Sequence, residues 1–543
     1  MLDILSVTDT AEDDAKSLPS PPASSGLPES SIYGLEAPYP FNRVDADLIL
    51  RSCDDIAFRV RSHIILEASP VLRDKIARAT AGASPAPSPL SIDLAEDSKT
   101  IETLLRICYP ILNPPLDDPL PVLEKILKAA MEYDMEFPIA VLSAELLSRA
   151  AHAPLAVWAL GCRAGLEPLA RGAAEHTFAA TDLRCERDSD LEGCSAWQLF
   201  QLREFWRSKG HVGGSFSFLT PDSAGSVSPR FDGSANRIFF PPSVDNSDLT
   251  ILSSNRREYK AHQDVISMVS PVLKEKIADI TQDMASTSSY RGVPTKKGKK
   301  GVKIMPAVPT PTLRVEEDDN TIVALLDLCY HRGNNIPARG PFRIAPILSA
   351  VYRYQMLSLL PTLRSQWIEV SAAQPLRAYL AAANAALHAE ASESAQLVLK
   401  HGLDGMFADE LRTTPALPYY RLMVYYDRCR AIARERFFAL RLARPVGGRV
   451  GPAENGEGDN AIGEQPEAAY ESEDWFARRV DELSELADRH PGHLAPSPGS
   501  LYEDATRAKQ WCARCQDLAD RLFACMQTLQ EIEKSISAEQ FTL

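Results

Sequence analysis

A long internal repeat is the feature that most constrains the fold of this chain. Residues 47–77, DLILRSCDDIAFRVRSHIILEASPVLRDKIA, return at 248–278 as DLTILSSNRREYKAHQDVISMVSPVLKEKIA, without a gap and with 11 of 31 positions identical. A second match aligns 101–109, IETLLRICY, with 322–330, IVALLDLCY, so the offset between the copies is larger in this block than in the first. A period of this length excludes a short-repeat solenoid and predicts two tandem globular domains.

The change in offset places an insertion in the second copy, between the two matched blocks, for which the basic stretch 291–303 is the obvious candidate. Its run Lys296–Lys303, KKGKKGVK, has two interpretations. One is a nuclear import signal or a local contact with nucleic acid. The other, a solvated loop without an address function, is favoured because short basic runs are common by chance.

Composition is that of a globular, non-membrane protein. The 543 residues suggest three or four domain-sized units, and 45% hydrophobic with 24% charged residues is ordinary for a packed chain. The net charge of −15 argues against a chain-wide interaction with nucleic acid or anionic lipid. No apolar run reaches membrane-spanning length, and the acidic start differs from a basic signal peptide. Ten cysteines in largely apolar patterns predict reduced core residues and a cytoplasmic or nuclear location.

The repeat and the changes in composition divide the chain into eight segments. Each predicted domain is paired with a helical extension, and segments rich in Ser, Pro, Gly or acidic residues lie between them. The segments are a disordered N-terminus (1–40), domain 1 (41–150), extension 1 (151–210), a linker (211–240), domain 2 (241–370), extension 2 (371–442), a flexible linker (443–470) and a helical tail (471–543).

Each copy is predicted to be α/β (α+β), with a small sheet covered by helices. In the first copy, a short apolar run at 47–52 and an alternating pattern at 56–60 predict two strands joined by a tight turn, and a third strand is predicted at 91–94. A helix covers His63–Glu67, and another begins at Pro70, where Ser69 is a capping residue. Further helical patterns follow at 101–108, 122–135 and 154–209, and the last is interrupted by the polar stretch 182–194.

The tail carries one apolar stripe with spacings of four and three residues. Its members are Trp511, Cys515, Leu518, Leu522, Cys525, Leu529, Ile532 and Ile536. This pattern fits either a helix that docks on the body of the protein or a short coiled coil. Docking is favoured, since the stripe has borderline length for an independent coiled coil.

Each of the two copies resembles a BTB/POZ domain in the motifs of its strands and helices. The shared features are an aspartate-led strand (Asp47, Asp248), a second strand of the form F/Y-K/R-x-H, an S-P-V-L helix start and a later L-L-x-x-C-Y helix. The second copy has the family's histidine, His262, where the first has Arg61. The resemblance implies two BTB-like folds, each followed by a helical extension.

The wider layout is similar to that of a group of fungal BTB proteins. In that group the helices end in R-L-x-x-Y-x-R-C-R, followed by a Trp-aromatic pair and C-x-x-C. Here these motifs are RLMVYYDRCR at 421–430, Trp475 with Phe476, and Cys512 with Cys515.

The resemblance implies a protein–protein interaction module without catalytic activity. The expected function is a scaffold or adaptor whose two copies pack as an intrachain pseudo-dimer, since covalent linkage raises their effective concentration. Two alternatives are a substrate adaptor of a cullin-based ubiquitin ligase and a nuclear regulator. Ile76-Ala-Arg78 and Ile280-Thr-Gln282 lack the glutamate typical of cullin binders, and no helix is predicted before the first strand, as strong BTB dimers usually have.

No catalytic or cofactor-binding residue is predicted. The chain has no GxxxxGK[ST], no GxSxG and no HExxH, and no GxGxxG follows a strand. Cys512 and Cys515, with His490 and His493 upstream, superficially resemble a zinc site. Core packing is favoured because Cys515 falls on the apolar stripe of the tail, although Cys512 does not.

Two polar features receive structural interpretations. His262 is expected to pack and hydrogen-bond at a domain corner, because no nucleophile or carboxylate is patterned near it. The acidic run 316–319 matches Glu96-Asp97 and is expected to cap the following helix, since carboxylates favour helix N-termini. In the aromatic segment Pro418–Tyr426, core packing is favoured over an interaction groove.

Overall fold

The structure is a computed structural model that describes most of the chain. The described residues are 35–82, 89–111, 114–179, 183–185, 187–219, 247–289, 310–331, 340–442, 480–492, 513–539 and 541. They form two compact units, Met1–Glu145 and Leu146–Leu543.

The first unit is a small mixed sheet with helices. Its elements are β1 (Leu35–Glu36), β2 (Leu48–Arg51), β3 (Ile56–Val60), α1 (Ser62–Ala68), α2 (Pro70–Gly82), β4 (Leu90–Asp93), α3 (Ser98–Cys108), α4 (Leu120–Glu132) and α5 (Glu136–Arg149), whose last turn enters the second unit. The strand order is β1-β3-β2-β4. β2 is one of the two inner strands, antiparallel to β3 and parallel to β4, and its Leu48, Ile49 and Leu50 are buried.

Local capping chemistry sets the helix starts in this unit. The Ser69 hydroxyl accepts from the Leu72 backbone N–H at 3.0 Å and donates to the Tyr133 carbonyl at 2.5 Å. Pro70 follows as the first residue of α2, where a missing N–H has no cost. Asp97 caps α3 by accepting from the Thr100 N–H at 2.8 Å. These contacts confirm the predicted start of α2 at Pro70, whereas α3 begins at Ser98, three residues before the predicted 101.

The prediction of disorder for 1–40 is wrong at its C-terminal end. Residues 35–40 are ordered, because β1 pairs parallel with β3 and Ala37 is buried. Phe41 follows at 0% exposure and lies edge-on to the Tyr109 ring at 5.3 Å. The polar composition did not show that this short arm completes a sheet edge. Residues 1–34 lie outside the described part of the chain.

The second unit contains the first extension, the second copy, its extension and the tail. Extension 1 consists of α6 (Pro154–Ala164), α7 (Glu167–His176) and α8 (Ala196–Arg207). The second copy consists of β5 (Leu249–Leu252), β6 (Glu258–Ala261), α9 (Gln263–Val269), α10 (Pro271–Ser289), β7 (Thr312–Arg314), α11 (Asp319–His331) and α12 (Pro341–Arg353). Extension 2 and the tail consist of α13 (Leu360–Ala373), α14 (Pro375–Asn384), α15 (His388–His401), α16 (Ala416–Leu442), α17 (480–489) and α18 (Ala513–Ala538).

The predicted duplication is present in the element order and in the strand pairing. β5 lies between β6 and β7, antiparallel to β6 and parallel to β7, as β2 lies between β3 and β4. Both copies continue with two helices before the parallel strand and two after it. The fold is therefore mixed α and β, mostly helical, with two small sheets. The repeat also includes the extensions, since α14 and α16 begin at the positions equivalent to the starts of α6 and α8.

The same buried hydrogen bonds occur in both copies. The Tyr133 hydroxyl donates to Glu96, and its counterpart Tyr354 donates to Glu317. The Ser270 hydroxyl donates to the Tyr354 carbonyl at 2.7 Å, as Ser69 does in the first copy. Burial and the adjacent glutamates raise the pKa of both tyrosines. The two tyrosines therefore stay neutral donors at any physiological pH.

The segment after α8, placed in the linker 211–240, is packed over its described part. Phe218 is fully buried, and its ring lies 5.3 Å from that of Phe205 and 6.2 Å from that of Trp158. Glu167 accepts hydrogen bonds from the backbone N–H groups of Phe218 at 3.0 Å and Leu219 at 3.3 Å. Residues 211–219 thus belong to extension 1. Despite the loop-like glycine and serine content of this segment, the Phe218 ring anchors it against Trp158 and Phe205.

The tail docks on extension 2, as favoured from its stripe. α18 packs against α16, and Cys525, Leu529, Ile532 and Ile536 are buried. Arg428 pairs with Glu539 at 3.4 Å and Arg436 with Glu531 at 3.6 Å, which fixes an antiparallel register between the two helices.

Candidate functional site

The two extensions pair with each other at a single backbone bridge. Ser195 and Pro415 form an antiparallel bridge, flanked by Ala196 N–H to Thr414 carbonyl at 2.8 Å and Ala416 N–H to Cys194 carbonyl at 2.9 Å. Ser195 and Pro415 are repeat equivalents, since each directly precedes the first residue of its helix, α8 or α16. A residue that pairs with its own equivalent marks a local twofold axis. The extensions therefore form an intrachain pseudo-dimer interface.

Aromatic side chains on either side of this axis extend into the opposite extension. Phe200 on α8 lies 5.9 Å from Phe407, centroid to centroid. Its equivalent on α16, Tyr420, accepts a hydrogen bond from the Cys185 N–H at 2.6 Å. Each helix thus contacts the loop that precedes its partner helix, as a twofold arrangement requires.

A buried arginine breaks the symmetry. Arg203, 3% exposed on α8, donates to Asp404 at 3.0 Å and to Asp427 at 3.2 Å. Its guanidinium also lies 5.5 Å from the centre of the Tyr426 ring. The repeat equivalent of Arg203 is Met423, so only one side of the axis has this charged contact.

Burial and charge act in opposite directions at this cluster. Burial alone would lower the pKa of Arg203, but Asp427 and Asp404 hold it above its usual range. Burial raises the pKa of Asp427, although Arg203 and Arg430 act in the opposite direction. Because a buried charge is costly without its partner, separating the two extensions would leave Arg203 of α8 without the carboxylates that neutralise it.

Helix α16, which carries Asp427, also binds the tail. Arg430 and Arg434 pair with Asp488 of α17 at 2.7 and 2.5 Å. The Tyr426 hydroxyl donates to the Arg489 carbonyl at 2.5 Å. Burial raises the pKa of Asp488, but hydrogen bonds from the two arginines outweigh it, and the net shift is downward. The α16 junction, defined as Arg203, Asp404, Tyr426, Asp427, Arg430 and Asp488, joins extension 1, extension 2 and the tail.

The junction gives physical roles to the motif RLMVYYDRCR. Arg421 pairs with Asp188 of extension 1 at 2.8 Å, and Arg428 pairs with Glu539 of the tail. Tyr425 contacts the tail through Phe541, with the ring centres 5.3 Å apart. Cys429 is fully buried, and burial raises the pKa of its thiol to about 12. Through the residues of this motif, α16 contacts both extension 1 and the tail. None of these contacts needs a bound ligand.

Sequence reasoning missed Arg203 and Asp404. Arg203 lies among the buried residues Leu199, Leu202 and Phe205, where a helical arginine is unusual. That contrast was the available signal for a buried ion pair. The identity of its partners was not readable, since Asp404 and Asp427 lie 201 and 224 residues away.

His262 is in the structural position expected from the sequence. Its Nδ1 lies 2.8 Å from the Tyr330 hydroxyl, which also accepts from the His262 backbone N–H at 2.9 Å. In the first copy, Arg61 replaces the ring, and its N–H donates to the Tyr109 hydroxyl at 2.8 Å. The acidic run also has its predicted role, because Asp318 accepts from the Thr321 N–H at 3.0 Å near the start of α11.

Several predicted sites cannot be placed. Lys296–Lys303, Cys512, His493 and the side chain of Cys515 lie outside the described residues. Among the residues that are described, no group of three or more His, Cys, Asp or Glu side chains is arranged to hold a metal ion. The described cysteines are free thiols, and Cys162, Cys194, Cys329, Cys429 and Cys525 are buried.

Comparison of the chain with protein-family models, curated proteins and solved structures finds no match in any of the three. Within the described part of the chain, no helix combines the length and the apolar character needed to cross a membrane.

Proposed function

We propose that this protein is a non-enzymatic scaffold or adaptor built from two BTB/POZ-like copies, whose helical extensions pair with each other as an intrachain pseudo-dimer. The observation that carries the proposal is the pseudo-twofold bridge between Ser195 and Pro415. Self-complementary interfaces normally join two chains, and here both halves are supplied by one chain. The covalent connection gives the pair a high effective concentration without a second molecule.

The chemistry of the junction supports a structural function. Its charged groups are paired with one another, and its one aromatic residue, Tyr426, is buried and hydrogen-bonds to the tail. Such a fully paired network rigidifies a structure. In this proposal the two copies present their surfaces to protein partners, while α16 fixes the spacing between the halves of the second unit.

BTB-like identity is part of the proposal and is supported by topology. Each copy has a hairpin, two short helices, a strand parallel to the first strand, and two further helices. We also place the protein in the cytoplasm or nucleus, which the buried free thiols support.

The test is the intact mass of the full chain after gentle affinity purification, with and without Arg203→Glu. We expect a monomer for the wild type, because its pseudo-dimer interface is satisfied internally. Arg203→Glu places a third carboxylate beside Asp404 and Asp427 and should open the extensions, which hydrogen exchange of the α8 amides would detect as faster exchange. A wild-type homodimer, or unchanged exchange in the variant, would contradict the proposal. A stoichiometric cullin in the complex would instead identify a ubiquitin-ligase adaptor.

A further inference from the structure

Each extension contains an aromatic slot that is filled by a phenylalanine. In extension 1, the slot is formed by Trp158 and Phe205, and Phe218 lies 6.2 and 5.3 Å from their ring centres. In extension 2, the equivalent positions are Tyr379 and Tyr425. There the phenylalanine is Phe541, whose ring centre lies 5.5 and 5.3 Å from theirs. The same subsite is thus used twice, by segments from unrelated parts of the chain.

The two occupants are held with different strength. Phe218 is fully buried, and Glu167 accepts from the backbone N–H groups of Phe218 and Leu219, while Arg171 donates to the Phe216 carbonyl at 3.1 Å. The equivalents of Glu167 and Arg171 in extension 2 are His388 and Ser392, which cannot supply the same carboxylate and guanidinium.

Phe541 depends on fewer contacts. It is only partly buried, and the nearest ion pair is Arg428 with Glu539, at 3.4 Å between half-exposed groups. It reaches the slot from the C-terminal end of α18, beyond the buried stripe that docks this helix on α16. Because Phe541 is partly exposed and lacks the carboxylate and guanidinium contacts that hold the segment of Phe218, it is the easier of the two rings to displace.

We propose that the Tyr379–Tyr425 slot is a docking site for a partner protein segment with an acidic residue two positions before a phenylalanine, and that the chain's own Glu539 and Phe541 occupy it in the isolated protein. The aromatic walls provide edge-on ring contacts, and Arg428 provides the charge that selects the acidic residue. The proposal deepens the scaffold function by naming a partner class, and it rests on that function.

The experiment uses the full chain and a fluorescein-labelled peptide of residues 536–543, ISAEQFTL, as the probe. Phe541→Ala vacates the slot, so the variant should bind the peptide about fivefold more tightly than the wild type, whose slot is occupied. Phe438→Ala removes an exposed phenylalanine from α16, the helix that carries Tyr425 and Arg428, and is the matched control. It should bind the peptide no better than the wild type.

A charge exchange tests the role of Arg428. Adding Arg428→Glu to Phe541→Ala should weaken binding of the peptide, and a peptide with lysine in place of Glu539 should recover it. Because recovery requires a folded slot, it separates loss of selectivity from loss of structure. Glu539→Lys in the otherwise wild-type chain is a second route, since it loosens the tail while leaving the slot and Phe541 unchanged.

Equal binding to the wild type and to Phe541→Ala, or no binding to Phe541→Ala and Glu539→Lys, would overturn the proposal. Wild-type chains that associate by exchanging tails would overturn it in favour of a second copy as the occupant. The scaffold proposal is tested separately through Arg203, so a negative peptide result leaves it standing.

Discussion

α8 and α16 are equivalent helices of the repeat, yet one has 12 residues and the other 27. α8 stops where Lys209 and Gly210 adopt positive φ values of 51° and 79°, and the Gly210 N–H donates to the Phe205 carbonyl at 2.9 Å. This is a glycine-based helix end. In α16 the same positions are Cys429 and Arg430, and the helix continues to Leu442.

The difference shows how one repeat can acquire two roles. Ending α8 turns the chain back, so that Phe218 fills the adjacent slot. Continuing α16 leaves the equivalent slot to Phe541 and exposes a further stretch of helix, on which Arg430 and Arg434 bind the tail. The first extension is therefore closed locally, and the second is closed by a distant segment.

The largest effect is expected from the two slot phenylalanines. Phe218→Ala should cost about 3–5 kcal/mol in the free energy of opening of extension 1, because it empties a fully buried ring site. Phe541→Ala should cost about 1 kcal/mol or less in extension 2, because its ring is partly exposed. Hydrogen exchange of the α8 and α16 amides measures both. Equal costs would remove the distinction between the slots.

The second effect concerns Arg203, whose ion pairs lie on only one side of the pseudo-twofold axis. Arg203→Met introduces the residue that its equivalent Met423 already has, and leaves Asp404 and Asp427 without their buried partner. We expect a loss of about 3 kcal/mol, measured as hydrogen exchange of α8. As a control, Arg43→Met breaks the exposed pair with Asp45 and should cost less than about 1 kcal/mol. A loss as small as the control's would mean that the buried pair does not hold the extensions together.

The third effect concerns the helix end. Arg430→Gly introduces the residue that the first copy has at the equivalent position, Gly210. The change should lower the stability of the helix by about 1 kcal/mol through helix propensity, and it also removes the ion pair with Asp488. We expect faster hydrogen exchange after residue 430 and release of α17. Arg430→Ala is the control, since it removes the ion pair and keeps the helix propensity. If both variants behave alike, the ion pair and not the cap governs the length of α16.

The smallest effect is the pH dependence of tail docking. The folded-state pKa of Asp488 is lowered, so its stabilisation is complete above the ordinary aspartate pKa of about 4 and is lost as the pH falls through the lower folded value. Protease accessibility of α17 should therefore rise in acid, and Asp488→Asn should flatten that rise. Extension 1, whose slot is closed without Asp488, provides the internal reference. An unaltered acid response in Asp488→Asn would assign the dependence to other carboxylates.

Much of the fold was predictable from local signals. The apolar run Leu48–Leu50 predicted a strand, Ser69-Pro70 predicted a helix start, and the tail stripe predicted a docked helix. The ordered arm at 35–40 and the packed segment 211–219 were not predicted. In both, polar and small residues surround a single buried apolar side chain, Ala37 in the arm and Phe218 in the later segment, whose burial depends on contacts with other elements.

The duplication of the domain is visible in the amino-acid sequence alone, because residues 47–77 and 248–278 are similar along their whole length. The sequence also indicates helix starts such as that at Pro70, since capping residues act over three or four positions. The fold was needed to show that the extensions pair through Ser195 and Pro415, that Arg203 contacts Asp404 and Asp427, and that Phe541 takes the place that Phe218 has in extension 1. These contacts join residues that lie far apart in the chain, and sequence periodicity carries no information about partners at such separations.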